Sequence, residues 1–157
     1  FIYGKITDNN EQAAKAIETF NKKLTYLRNT YSEQEKVSVF YQVWNAPLMT
    51  QNGNTFISRA IEVCGGINIF SDLPMTNPQV SIESILIQDP QVIVASGMGQ
   101  ARPEWLDDWR QYKTLQAVEA NQLYHIAPEL FQRPTVRFLL GTEQLCEAMQ
   151  KARESKE

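Results

Sequence analysis

Few side chains in this 157-residue chain are of the kinds that build catalytic or metal centres. His125 is the one histidine, so a Ser-His-Asp or Cys-His arrangement has a single candidate base. It sits in the apolar run LYHIA (123–127), where a lone histidine is more often packed than reactive. Cys64 and Cys146 lie far apart, and with one histidine they do not make a zinc site. Taken alone, the two cysteines read either as buried thiols acting as small apolar residues or as a disulfide, and composition leans slightly to thiols. SGMGQAR (96–102) after an apolar run has the first two glycines of a dinucleotide turn, but Arg102 stands at the third position, so it reads as a tight strand-to-helix turn. No phosphate-loop or nucleophile-elbow motif occurs. No catalytic or metal-ligating residue is therefore assigned. A small α/β enzyme with a cleft around His125 is kept as the alternative from another class.

The remaining polar and aromatic candidates are positional. Glu83 follows Ser81 in the first turn of a short helix, where a carboxylate is stabilised by the helix dipole and commonly does nothing more. Trp44 at a strand end is either a core residue or a binding surface. Glu129 and Arg133 are either a local ion pair or two fixed polar groups for a ligand.

Composition narrows the partners. The chain is 43% apolar and 21% charged with a net charge of −3, so there is no basic face for nucleic acid. No apolar stretch approaches a membrane span, and direct membrane insertion is not expected. A chain of this length buries roughly 70% of the surface its unfolded form exposes, enough for one core. It begins at FIYG rather than at methionine, which fits a processed protein or a piece of a longer one.

The elements that must position these residues are legible by period. Ala13, Ile17, Phe20, Leu24, Leu27 and Tyr31 alternate steps of four and three, predicting an amphipathic helix from an Asp8–Glu11 capping box to about Tyr31. VSVFYQVW (37–44) is mostly β-branched and aromatic, as in a strand buried on both faces. A turn-rich segment (45–54) leads to a helix over Thr55–Cys64, ended by Gly65-Gly66. Ser81 caps a short helix stopped by Asp89-Pro90, VIVA (92–95) is a second buried strand, Pro103–Tyr112 a short helix, Leu123–Ala127 a third strand, and Thr135–Ala152 a final helix. Helices alternating with buried strands predict an α/β fold with a mostly parallel sheet. Ligand-facing loops are then expected at the carboxyl ends of the strands: Trp44–Met49, Ser96–Met98 and Glu129–Arg133.

Five segments together carry a resemblance: the helix leading into VFYQVW, then IEVCGGINIF (61–70), PQVSIESIL (78–86), DPQVIVAS (89–96) and ELFQRPTVRFLLGTEQLCEAM (129–149). The set resembles the C-terminal lobe of periplasmic cobalamin-binding proteins, of the helical-backbone class of substrate-binding proteins that also carries iron siderophores and haem. The resemblance runs continuously over about Lys36 to Gln150. It implies a three-layer Rossmann-like lobe at 36–157, with residues 1–35 as a connector helix and linker between two lobes. The N-terminal lobe and a signal peptide are expected to lie outside this chain.

In that family a corrinoid sits in a shallow cleft between the lobes, and the loaded protein docks on the membrane subunits of an ABC importer. The resemblance thus implies a periplasmic receptor for cobalamin or a related metal chelate, with no catalytic cofactor and no turnover. It implies a disulfide between Cys64 and Cys146, which reverses the preference for thiols. Met49, Asn77, Glu129 and Arg133 fall where family members place ligand contacts; the flat, amide-fringed ligand suggests Trp44 as a further surface. Glu83 falls where an exposed acidic residue meets arginines of the transporter. Asn77 departs from the pattern, since this position can be an aromatic contact in cobalamin-binding members; a siderophore or haem remains the alternative ligand.

Overall fold

The computed structural model describes residues 10–96, 103–127, 130 and 136–155. The first element is the expected long helix, α1 (Asn10–Tyr31). Its 22 residues span about 33 Å. Only its second half meets the core: Leu27 is buried, with Phe20, Leu24 and Tyr31 packed around it, whereas Ile17 is 43% exposed. The expected cap Asp8 lies outside the described residues.

Four strands form one parallel sheet in the order β2-β1-β3-β4: β1 (Val37–Gln42), β2 (Gly66–Asn68), β3 (Val92–Ala95) and β4 (Leu123–His125). Val39 stands opposite Val92 and Ile93 opposite Leu123, which places the two most apolar strands at the centre. All four residues of β3 are buried, as are five of the six in β1. This is the burial that a continuous apolar run requires.

Helices cover both faces, giving the expected three layers. On one face α1, α2 (Phe56–Val63) and α5 (Val136–Glu154) pack on Val37, Val39, Tyr41, Val92 and Val94. On the other, α3 (Ile82–Gln88), a 3₁₀ helix (Glu104–Gln111) and α4 (Gln116–Glu119) pack on Phe40, Ile93 and Ala95. Among the described residues no helix is long and apolar enough to cross a membrane.

The sequence expectations need four corrections. β2 was not expected: Gly65 ends α2 at φ +77°, and Gly66–Asn68 then joins the sheet through main-chain pairing with β1, which a three-residue strand cannot announce by pattern. The first strand stops at Gln42 rather than Trp44, because Val43 and Trp44 turn back to pair with Met49. α4 falls in a stretch for which the sequence predicts no element, whereas the short helix expected over Pro103–Tyr112 is present, as a 3₁₀ helix. The third strand stops at His125, after which the backbone of Ile126 still reaches Ala95 O at 3.1 Å.

Cys64 and Cys146 are joined in a disulfide with Cα atoms 4.8 Å apart, both sulfurs inside the core. The bond ties the end of α2 to the middle of α5. Two turns further along α5, Arg153 fastens the same junction: its guanidinium donates to Cys64 O (2.6 Å), Gly65 O (3.2 Å) and Glu35 O (2.7 Å). Carbonyls at a helix C-terminus lack intrahelical donors, and a buried cation satisfies them and the helix dipole together. Burial lowers the Arg153 pKa, opposed by the charges of Glu35 and Tyr31.

Candidate functional site

The carboxyl ends of β1, β3 and β4 are level with one another. Ser96 N donates to Gln42 O (3.1 Å) and Ile126 N to Ala95 O (3.1 Å), so the loops that follow all leave from one edge of the sheet. This is the crevice position favoured for ligands in open α/β sheets.

The loop after β1 folds back on itself and is paired on its far side. Val43 N donates to Met49 O (2.9 Å) and Met49 N to Trp44 O (3.2 Å); Val80 N then donates to Leu48 O (2.9 Å), Thr50 N to Pro78 O (3.1 Å) and Asn52 N to Thr76 O (3.0 Å). Met49 is thereby bridged to Trp44 on one side and Gln79 on the other. Asn77 is drawn into the same patch, its Oδ1 accepting from Gln51 Nε2 at 3.0 Å. Three of the expected contact residues are thus brought to one patch: Trp44 and Met49 of a single loop, and Asn77 from a segment distant in sequence. Glu129 and Arg133 lie outside the described residues, as does most of the Ser96–Met98 loop.

Buried polar groups hold this patch in place. Thr50 Oγ1 donates to Tyr41 O (2.6 Å), and Ser58 Oγ, at the start of α2, donates to Asn52 O (2.6 Å). Asn68 Nδ2 donates to both Gln51 O (2.8 Å) and Ser58 Oγ (2.7 Å). Beneath them Tyr41 OH and Ser96 Oγ are 2.6 Å apart. Burial pushes the Tyr41 phenol up to about 12, only partly countered by the Ser96 bond, so it is neutral and structural.

The patch offers specific chemistry. The indole N–H of half-buried Trp44 is used locally, donating to Ala46 O at 3.1 Å, so the ring face is what a ligand would meet. Half-buried Met49 adds a polarisable thioether, which packs well on conjugated rings. Asn77 is exposed, and with Oδ1 occupied its amide NH2 is left to donate. The patch thus presents a ring face, a thioether and one side-chain amide donor side by side.

His125 Nε2 lies 3.2 Å from the carbonyl of Ser96, and the Ser96 hydroxyl is engaged by Tyr41. Glu83 is exposed in the first turn of α3, whose N-cap Ser81 accepts from Ser84 N at 3.1 Å, and it makes no ion pair among the described residues. In sequence it follows Gln79, which is bridged to Met49. Gln79 and Gln51, which position Met49 and Asn77, were not foreseen. Their only local signal was a turn-forming composition, because antiparallel pairing between distant loops leaves no periodicity.

Comparison with known proteins bears on what such a patch holds. Residues 2–130 match the family described as periplasmic binding protein. The vitamin B12-binding protein of Vibrio cholerae serotype O1 is 35% identical over 139 residues, which is 88% of this chain and 49% of that protein. The vitamin B12-binding protein of Yersinia pestis is 34% identical over the same length, covering 88% and 48%. The chain therefore spans about half the length of the curated relatives it matches. The crystal structure of the periplasmic vitamin B12 binding protein BtuF of Vibrio cholerae superimposes with a TM-score of 0.81 at 33% identity, over 92% of this chain and 56% of that one. The periplasmic heme binding protein HutB of Vibrio cholerae superimposes at 0.79 with 16% identity, covering 92% and 59%, a likeness of fold alone.

Proposed function

We propose that this chain, which belongs to the periplasmic binding protein family, is the C-terminal lobe and connector helix of a receptor that captures cobalamin or a related corrinoid in the periplasm. The receptor delivers its ligand unchanged to the membrane subunits of an ABC importer. The observation that carries the reading is the Trp44–Met49–Asn77 patch at the carboxyl ends of the strands, in a chain whose sequence relatives are vitamin B12-binding proteins. Trp44 and Met49 supply one flat wall for the corrin and Asn77 a donor to its fringe of amides. Glu129 and Arg133 supply further polar contacts from the loop after β4. The exposed first half of α1 supports its role as a connector. The exposure of Glu83 supports a docking role toward arginines of the importer.

One observation favours a second reading. Asn77 is a small polar residue where the resemblance leads one to expect an aromatic contact, which suits an iron siderophore or haem held at a different height in the cleft. Isothermal titration of the full two-lobed receptor with cobalamin, haem and ferric siderophores separates the two. Cobalamin is expected to bind tightest and to be recovered unaltered, with Arg133→Ala weakening it. The isolated lobe is expected to bind far more weakly, since one wall is lost while the cost of immobilising the ligand stays. Tightest binding by a siderophore, chemical turnover of the ligand, or undiminished affinity in the isolated lobe would overturn the proposal.

A further inference from the structure

A second concavity is lined in part by Asn45 and Leu48 of the loop that carries Trp44 and Met49, and neither of those two residues lines it. It has a volume of about 150 Å³ and is walled by Trp105, Trp109 and Tyr112 of the 3₁₀-helix region, with Leu48, Ile82 and Asp108 also in the lining. The aromatic walls are set by the core. Trp109 is buried, its indole N–H donates to the buried Gln42 Oε1 (2.7 Å), and its ring lies 5.8 Å from Phe40 and 5.6 Å from Tyr112. Trp105 is only half-buried, so part of its ring faces solvent.

Among the described residues of the lining, Asp108 is the charged one. Arg110, the cation of the 3₁₀ helix, is turned to Asp107 Oδ1 (3.0 Å) and Asn121 Oδ1 (2.8 Å). Asp108 is exposed, and its carboxylate makes no ion pair among the described residues. An electron-rich aromatic wall with an uncommitted carboxylate beside it attracts a cation, and a planar guanidinium can stack on indole while donating to carboxylate and amide oxygens. The side-chain amides of Asn45 and Gln111 border the same space.

From this juxtaposition of three aromatic rings and the uncommitted Asp108 we infer that the concavity is a second binding site, for a guanidinium group, distinct from the Trp44–Met49 edge and independent of whether that edge holds a corrinoid. The group can come from a free small molecule or from an arginine side chain, and the two are separable by experiment.

The test follows the three tryptophan indole N–H signals by NMR during titration of the whole chain with methylguanidinium chloride, with sodium chloride holding ionic strength constant. The signals of Trp105 and Trp109 are expected to move saturably, with half-saturation on the order of millimolar for so small a probe, while Trp44 stays still. Urea, a neutral planar analogue, is expected to give no saturable shift. Asp108→Asn, a change at an exposed position, is expected to weaken the probe roughly five-fold, as for loss of one exposed ion pair. Trp105→Ala is expected to weaken it roughly ten-fold, the variant's fold being checked by its circular dichroism. A parallel titration with Nα-acetyl-arginine amide identifies the source: comparable binding assigns the site to an arginine side chain, and rejection of that probe alone assigns it to a free small guanidine. Linear shifts without saturation, equal shifts with urea, or undiminished binding by Asp108→Asn would overturn the inference.

Discussion

Replacing Arg153 with methionine keeps most of the side chain's volume and removes its donors, which isolates what the guanidinium does. In the intact protein Arg153 is 7% exposed and supplies hydrogen bonds to the carbonyls of Glu35, Cys64 and Gly65. Gly65 O also accepts from Val37 N at 3.3 Å and Glu35 is exposed, where water can replace the donor, so the loss falls mainly on the buried Cys64 O. A buried acceptor deprived of its donor costs about 1 to 3 kcal/mol. Relief of burying the cation offsets part of this and loss of the Glu35 bond adds a little, so we expect a net loss of about 2 kcal/mol. With a urea slope of about 2 kcal/mol per molar, the unfolding midpoint should fall by about 1 M. Arg153→Lys keeps the charge but has one ammonium in place of a planar fork, and it should recover less than half of the loss. The assay is urea unfolding followed by circular dichroism, with the disulfide intact. A loss below about 1 kcal/mol for Arg153→Met, or full recovery by lysine, would refute the idea that satisfying the end of α2 is what Arg153 contributes.

Two other outcomes follow from the same core. The Cys64–Cys146 bond spans a sequence separation of 82 residues, for which the chain-entropy relation gives about 4.5 kcal/mol, so the Cys64→Ala/Cys146→Ala variant should be destabilised by up to that amount. Peptide mapping without reductant should recover the two segments as one linked species, and alkylation of either cysteine in native oxidised protein would contradict the bond. Tyr41 keeps its proton in the folded state up to about pH 12, whereas an unfolded tyrosine releases it near pH 10. Its contribution to stability is therefore whole below pH 10 and is lost as pH rises toward 12, with a limiting slope of about 1.4 kcal/mol per unit. Urea midpoints measured from pH 9 to 11 should fall more steeply for the unaltered chain than for Tyr41→Phe; parallel slopes would show that Tyr41 is not the titrating group. Tyr31 and Tyr124, also raised by burial, titrate in both proteins and do not affect the comparison.

By itself the sequence determined the elements whose residues meet the same neighbours all along their length. The four-and-three spacing from Phe20 to Tyr31 marks α1, and the β-branched and aromatic residues of 37–42 and the apolar run at 92–95 mark strands covered on both faces, because β-branched and aromatic side chains favour the pleated strand. Ser81 as a cap was legible for a similarly local reason: its hydroxyl meets Ser84 N three residues on. The cysteine pairing is not decided by the residues alone, whose composition leans slightly to two buried thiols; the disulfide is implied by the likeness to a family and is present in the fold. What only the tertiary structure decided is everything made by contacts between distant segments. β2 exists because β1 offers it main-chain partners, not because Gly-Ile-Asn prefers a strand. Met49 meets Gln79, and Asn77 meets Gln51, through loop-to-loop pairing that leaves no mark in composition. Arg153 lies just past the end of the helix expected over Thr135–Ala152, and neither it nor Trp109 carries a local signal of its partner; their roles come from the helix end and the strand end brought against them. A hydrogen bond or ring contact across the fold is fixed by where the chain returns, and that return is set by burial of the whole core rather than by the residues beside it.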